Sequence, residues 1–449
     1  MPFGQGSIKI AVFRWLRAVG AIPADCFCNQ AVFLDSQQQT LQRSITVSAC
    51  RVTAMAGAWL LLTQATHAAE MGHGSVSEGV LHYLDLRLST LIMSLWIFVL
   101  GSCIGSFLNV VIYRMPAGRA LSHPGSHCPV CETELTAGDN IPILGWVLLR
   151  GRCRYCQVLI PSRYPLIEFT VGLLFLTVFV VETSTGAANL PLRMPVTIFG
   201  GAMNAIFLQG HWDLLGYFLV HTFYLTITLA ICMIGLDGHT TPWKLVRSGL
   251  SVALLAGVLW PELRPIHVVV PMSETLIQSW QANWTLSQWL AGYGLNIRFS
   301  LIGILDSIAG LASGLLAGWL AGRVVRDNSA ISSTVKNVFI LAGLFCGWQM
   351  TWPLLTLFLL TVLLLRPFNA KIQQSMLPLL LFGICSVFIF AWPQMLNGIT
   401  LIRYDGWRWT KSSALVDWIA TILLLAATAL AMSRMAQHTP VTDEHRKDA

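Results

Sequence analysis

Four cysteines in a polar loop are the residues of this chain whose types and spacing best suit a defined chemistry. They form two Cys-x-x-Cys pairs, Cys128 with Cys131 and Cys153 with Cys156, and twenty-one residues separate the inner two. Each pair places two thiolates on one tight turn, and two such turns at loop-length separation can close a tetrahedral zinc site. The spacing therefore predicts a structural zinc ion held by these four thiolates.

Two disulfides are the competing interpretation, and they would require an oxidising compartment. The charges in and beside the loop are mainly positive: Arg114, Arg119, Arg150, Arg152, Arg154 and Arg163 against Glu132, Glu134 and Asp139. Excess arginine marks the cytoplasmic side of a membrane protein, where thiols stay reduced. The charge therefore favours zinc, or reduced thiols ready to bind a metal.

Long apolar runs on both sides of the loop indicate the elements that position it. Of 449 residues, 55% are hydrophobic and 11% are charged, and the mean hydropathy is +0.64. Several runs approach the ~20 residues that a spanning helix needs. The sequence predicts an all-α polytopic membrane protein of about eight transmembrane helices with a cytoplasmic, zinc-ribbon-like loop. The net charge of +7 is carried by loops between spans, and no nucleic-acid-binding signature is present.

The expected spans follow the apolar runs. They cover about 88–113, 164–181, 214–236, 245–260, 301–325, 335–348, 353–365, 376–392 and 416–432. The segment 194–210 is short and rich in small residues, so we expect it to be re-entrant or interfacial. In the span 301–325, Gly310, Gly314, Gly318 and Gly322 form a stripe that predicts close helix packing.

Residues 1–87 are a poorly defined extension. Within it, 51–69 combine a basic start, a short apolar core and small residues, as a secretory signal does. A start codon assigned too early would give the same pattern, and so would an unstructured extension.

Five motifs around the cysteines carry a family resemblance. They run from Gly105 to Arg114, His127 to Cys131, Asp139 to Trp146, Arg150 to Cys156, and Ser162 to Glu168. In register over some sixty residues, they closely resemble the N-terminal domain of type IV prepilin leader peptidases, and a weaker resemblance extends from about Ile92 to Arg366.

The resemblance implies a bifunctional enzyme of the bacterial inner membrane, with membrane lipid around it and the cysteine loop in the cytoplasm. Family members cut the short basic leader from prepilins and pseudopilins after a glycine. Many then methylate the new N-terminus with S-adenosylmethionine. The resemblance also divides the chain into four parts. Residues 1–87 are the extension, and 88–182 are the N-terminal domain with the cysteine loop. Residues 183–366 form a peptidase-like membrane core, and 367–449 form C-terminal helices and a cytoplasmic tail.

The family's cleavage uses two aspartates that share a proton, and this chain departs from that pattern at both. The first lies seven residues before a proline, and seven before Pro242 is Gly235. Asp237 matches a second, non-catalytic acid, although a two-residue slip would make it the catalytic candidate. The second aspartate belongs to a Gly-x-Gly-Asp motif that this chain lacks, and Val335 aligns with it.

Neither of the other acids nearby is a good substitute. Asp327 lies upstream, and we expect Asp306 near the opposite membrane face. The sequence therefore predicts a prepilin peptidase-like protein impaired in proteolysis, or an inactive paralogue that serves as a binding or assembly component of a type IV pilus or type II secretion system. A third interpretation is a membrane scaffold in which the zinc loop only holds two helices together.

Overall fold

The computed structural model describes residues 76–123, 125–190, 202, 204–260, 263–264, 301–325, 328–365 and 370–390. All of them belong to one compact unit, His73–Ala449. Throughout these ranges the secondary structure is helical, apart from two isolated bridges in the cysteine loop. Residues 1–75 and the expected span 416–432 lie outside the described residues.

Nine α-helices can be followed along the described ranges. They are α1 (Val76–Arg114), α2 (Leu144–Leu148), α3 (Arg163–Val178), α4 (Trp212–Leu236), α5 (Trp243–Leu259), α6 (Leu301–Val324), α7 (Ser329–Phe345), α8 (Trp348–Leu365) and α9 (Ala370–Phe390). The helix α3 continues as a π-helical segment, Phe179–Ser184, and a second one, Asn204–Leu208, precedes α4.

Five of these helices are long and apolar enough to cross a bilayer. The spans are Thr90–Arg114, Arg163–Ser184, Trp212–Leu236, Gly303–Val324 and Trp348–Leu365. The chain is thus a multi-pass, all-helical membrane protein, as predicted. The helices α5 and α7 and the apolar part of α9 are shorter, so the count of eight spans stays a prediction.

Glycines bring α1 and α3 together and so fix the two ends of the cysteine loop. A Cβ added to Gly101 would lie 2.7 Å from Phe175 Cβ, and one on Gly105 would lie 2.7 Å from Glu168 Cα. Gly172 of α3 faces Phe98 and Ser102 in the same way. Because small residues let helix backbones approach closely, the loop connects two tightly packed spans.

The predicted glycine stripe packs α6 against α7. Gly310 faces the carbonyl of Gly343, and Cβ atoms added to Gly314 and Gly318 would lie 2.6 Å from Phe339 O and 2.9 Å from Lys336 O. The expectation of a close-packing stripe is confirmed.

The helix α4 lies at the centre of the bundle and contacts α3, α5, α7 and α9. Its side chains Tyr224, Leu225, Ile231 and Ile234 are fully buried in the core. Its C-terminal end meets the start of α3, where Asp237 pairs with Arg163. The described helix ends therefore define a cysteine-loop side of the bundle.

Candidate metal centre and peptidase-like site

The structure brings the four predicted cysteines together. Their sulfur atoms all lie within 4.8 Å of one another. Cys128 Sγ is 3.7 Å from Cys156 Sγ, and Cys131 Sγ is 4.0 Å from Cys153 Sγ. Thiolates bound tetrahedrally to zinc at ~2.3 Å lie about 3.8 Å apart, whereas a disulfide joins sulfurs at ~2.05 Å. All four are free thiols whose arrangement fits a metal ion.

The two Cys-x-x-Cys turns of the loop, here called the first knuckle (Cys128 and Cys131) and the second knuckle (Cys153 and Cys156), share one local structure. In the first, Cys128 N donates to Thr133 O at 3.0 Å and Glu132 N donates to Cys128 O at 2.9 Å. In the second, Cys153 N donates to Val158 O at 2.9 Å and Gln157 N to Cys153 O at 3.1 Å. The residue after each second cysteine, Glu132 or Gln157, has φ of 58°. Each Cys-x-x-Cys pair thus closes a turn that presents both sulfurs on one side.

Hydrogen bonds and desolvation shift the pKa values of three of these thiols in different directions. Those from the side chain and backbone of Thr133 lower the pKa of Cys131 to about 6. Backbone hydrogen bonds from Cys156 and Tyr155 lower the pKa of Cys153. The backbone of Val158 lowers the pKa of Cys156, but desolvation and the three neighbouring thiols outweigh it and raise that pKa to about 11.

An ion pair braces the second knuckle. Arg154 Nη2 lies 2.5 Å from Asp139 Oδ1, and Arg154 Nε donates to both carboxylate oxygens, at 3.0 and 3.1 Å. The hydrogen bond from Arg154 holds the pKa of Asp139 below its usual range. Asp139 is thereby assigned to holding the loop together.

Polar side chains tie the loop to the spans. Arg114, at the end of α1, donates to the carbonyls of Ala120, Leu121 and Gly125 at 3.1 to 3.3 Å. Glu168 of α3 accepts from Ile143 N at 2.7 Å. The loop is therefore fixed to both helices that flank it.

Asp237, the catalytic candidate, is engaged by an arginine. Arg163 Nη1 and Nη2 donate to its two carboxylate oxygens at 2.5 and 2.7 Å, and the side chains are 31% and 27% exposed. The guanidinium forms a bidentate ion pair with this carboxylate, whereas an aspartic dyad requires two carboxyl groups that share a proton. The partner that the structure gives Asp237 is a cation.

Gly235, the first position aligned with a family aspartate, packs against α7, the helix that carries the second aligned position. A Cβ added to Gly235 would collide with Thr334 Oγ1 and lie 3.0 Å from Thr334 Cβ. Thr334, one residue before the aligned Val335, is the residue that faces Gly235, and Val335 is buried in the core.

The remaining acids lie elsewhere. Asp306 is fully buried and 3.2 Å from Arg264, and Arg264 Nε also donates to the carbonyl of Leu344, near the end of α7. This pair lies away from the cysteine-loop side, as expected for Asp306. Asp327 lies outside the described residues.

One buried pair was missed from the sequence. His221 of α4 pairs through Nδ1 with Glu182 Oε1 in the π-helical segment after α3, and both side chains are fully buried. The available signal was an ionisable residue inside each of two apolar spans.

A bundle of membrane helices with a four-cysteine loop between its first two described spans is the class of protein that the fold defines. The family described as Bacterial Peptidase A24 N-terminal domain matches residues 99–181. No solved structure matches the chain.

Curated relatives extend this match. An Escherichia coli protein named type 4 prepilin-like proteins leader peptide-processing enzyme is 42% identical over 257 residues, which cover 53% of this chain and 81% of the relative. Prepilin leader peptidase/N-methyltransferases from Myxococcus xanthus and Stutzerimonas stutzeri are 51% and 41% identical over 84 and 99 residues. Those alignments cover 19% and 17% of this chain, and 25% and 34% of the relatives. The chain belongs to the prepilin leader peptidase family.

Proposed function

We propose that this chain binds prepilin-type leader peptides at the cytoplasmic face of the bacterial inner membrane but is impaired in cleaving them. The observation that carries the proposal is that the two positions where the resemblance puts aspartates hold Gly235, which packs directly against Thr334, and Val335, which is buried in the core. The match to the Escherichia coli relative supports the substrate class.

The chemistry of the two residues explains the impairment. An aspartic protease needs one carboxylate to activate water and one protonated carboxyl to stabilise the tetrahedral oxygen. Gly235 offers no side chain and Val335 offers an apolar one, so neither aligned position supplies a carboxyl group. Asp237 carries a carboxylate, but Arg163 occupies both of its oxygens.

Zinc is proposed for the four-cysteine cluster as a structural ion. Cys128, Cys131, Cys153 and Cys156 would hold it, and a bound zinc ion supplies cross-linking energy to a loop without a core of its own. Here the cross-link would join the segment that follows α1 to the segment that precedes α3. S-adenosylmethionine is a cofactor only if methyl transfer is retained, and the residues that would bind it are unassigned.

The distribution of charge supports a cytoplasmic placement of the loop. Arginines crowd the loop, and Lys244 and Arg247 follow the end of α4 on the same side. Basic residues concentrate on the cytoplasmic side of membrane proteins.

A cleavage assay tests the proposal. Purified protein in detergent is mixed with a prepilin-like substrate that carries a basic leader and a Gly-Phe junction, with S-adenosylmethionine present, and mass spectrometry reads leader removal and methylation separately. We expect no cleavage while an active family member cleaves in parallel, and retention of the substrate on immobilised protein. Cleavage that Asp237→Ala abolishes would overturn the proposal and make Asp237 catalytic.

The alternative is an inactive paralogue that acts in pilus or secretion-system assembly. The absence of a carboxyl group at Gly235 and Val335 supports this alternative as well. Retention of an uncleaved leader peptide supports leader binding, whereas co-purification of a processed pilin-like protein without leader binding supports the assembly role.

A further inference from the structure

The short helix α2 is held against the membrane end of α3. The N–H of Ile143, just before α2, donates to Glu168 Oε2 at 2.7 Å, and Glu168 lies five residues into the span that begins at Arg163. Five helical residues rise about 7.5 Å, and a helical side chain leans back toward the start of its helix. The start of α2 is therefore level with the first turns of the span.

Aromatic side chains mark this level as the membrane–water interface. Tyr113 near the end of α1, Tyr164 at the start of α3 and Trp243 at the start of α5 are all exposed. Tyrosine and tryptophan are enriched where a span meets the lipid headgroups. Asn109 Nδ2 donates to Tyr164 O at 3.1 Å and ties α1 to α3 at the same level.

One face of α2 is apolar and uncovered within the described ranges. Leu144, Val147 and Leu148 are 56%, 55% and 74% exposed, and their i, i+3, i+4 spacing places them on one side of the helix. The other side faces the loop, where Gly145 packs against the backbone of Asp139 and Trp146 Nε1 donates to Ile160 O at 3.0 Å.

Positive charge borders this apolar face. Arg150 and Arg152 lie two and four residues after the end of α2 and are exposed. Among the described contacts, Arg152 donates only a long 3.4 Å hydrogen bond to Gln157 O. The loop acid Asp139 is already paired with Arg154. An apolar helix face edged by cations is the composition that binds an anionic bilayer surface.

We propose that α2 is an interfacial anchor that inserts Leu144, Val147 and Leu148 into the adjacent leaflet and places Arg150 and Arg152 among anionic phospholipid headgroups. The anchor holds the cysteine loop against the membrane surface. It depends on the membrane placement of α1 and α3 and does not depend on cleavage.

Photo-cross-linking in bilayers tests the anchor. A benzoyl-phenylalanine replaces Leu148 in the full-length protein, which is reconstituted in vesicles of phosphatidylethanolamine and phosphatidylglycerol and irradiated. The matched control carries the probe at Val130, which is 64% exposed on the first knuckle. We expect phospholipid adducts at position 148, several-fold above those at 130. Equal yields at the two positions, or adducts mainly to a second copy or to an added leader peptide, would overturn the proposal.

The headgroup preference is read from the adduct masses. We expect phosphatidylglycerol to be enriched over its share of the bilayer, by about fivefold for each arginine that contacts it. The double variant Arg150→Gln, Arg152→Gln should remove the enrichment and keep the adducts. Adducts in proportion to the bilayer in the original protein would refute the role of the arginines.

Discussion

Cys131 and Cys156 lie in one cluster and yet differ in the acidity of their thiols. Two hydrogen bonds from Thr133 favour the thiolate of Cys131, whereas desolvation and the surrounding thiols favour the neutral form of Cys156. Once one thiolate is present, its charge opposes ionisation of the others. A metal cation removes that opposition, which is why such a cluster is stable with an ion bound.

Alkylation of the metal-free protein should therefore select Cys131. Its pKa of about 6 makes it mostly thiolate at neutral pH, while Cys156, at about 11, stays protonated. A brief iodoacetamide pulse after chelation, followed by peptide mass spectrometry across pH, should show Cys131 modified first and its reaction lost as the pH falls through about 6.

Two variants make this alkylation test specific. Thr133→Val removes the side-chain hydrogen bond and should move the pH profile of Cys131 upward, and Cys131→Ser should abolish the early product. Faster modification of Cys156 would contradict the assignment. Reloading with zinc should protect all four cysteines.

Gly235 permits a second test at the residue scale. Gly235→Ala places a methyl group against Thr334 Oγ1 and Cβ, and overpacking of this kind costs about 1–3 kcal/mol. We expect a lower midpoint of thermal unfolding in detergent, with part of the loss recovered when Thr334→Ala is added.

The matched control for Gly235 is Gly383→Ala in α9, because a Cβ there meets nothing within 4 Å. That variant should be neutral or slightly stabilising, since alanine favours helix over glycine by about 1 kcal/mol. Equal effects at Gly235 and Gly383 would show that Gly235 and Thr334 are not packed together.

At the scale of elements, the sequence predicted the apolar helices better than their polar ends. The span expected at 335–348 is the helix Ser329–Phe345, whose first turns are polar and begin at Asn328, where the side chain accepts from Ala330 N and Ile331 N at 3.0 and 3.1 Å. Hydropathy does not detect such turns, although an asparagine before a helix is a capping signal. The span expected from Pro353 begins instead at Trp348 and contains that proline.

The candidate site also has one part that local sequence predicts and one part that it does not. The cysteine cluster was predictable because local spacing in two turns sets the positions of its four thiols. The meeting of Gly235 with Thr334 joins α4 to α7 across the bundle, and only tertiary packing determines which face of α7 meets α4. A one-residue difference turns a helix by about 100°, which separates buried Val335 from the facing Thr334.

Alanine substitutions at different positions of the glycine stripe should lower the stability of the protein by different amounts. Gly310 faces the backbone carbonyl of Gly343, which is fixed within α7, whereas a Cβ on Gly322 would meet Lys336 Cε at 2.6 Å, in a flexible side chain that can move. Gly310→Ala should therefore cost about 1–3 kcal/mol, and Gly322→Ala little. Thermal unfolding of the two variants checks this, and a greater loss for Gly322→Ala would be incompatible with the α6–α7 packing.

At the scale of the whole molecule, long-range contacts assign helix ends to two sides. Arg163 joins the start of α3 to the end of α4, and Thr241 N donates to Ser333 Oγ at 3.3 Å near the start of α7. On the other side, Asn189 Nδ2 donates to Ile389 O at 2.9 Å, which joins the segment after α3 to the end of α9. The arginine-rich loop lies on the first side.

Reporter fusions should follow this division. Because arginines are concentrated on the cysteine-loop side, the positive-inside rule predicts that this side faces the cytoplasm. Alkaline phosphatase fused after Gly238 should be inactive and a fluorescent protein fused there bright, whereas phosphatase fused after Ala188, beyond the α3 span, should be active. Among the residues that the structure describes, one span, α4, separates the two positions, so each serves as the control for the other. An active phosphatase at Gly238 would place the cysteines in an oxidising compartment, where disulfides replace zinc as the expected state of the loop.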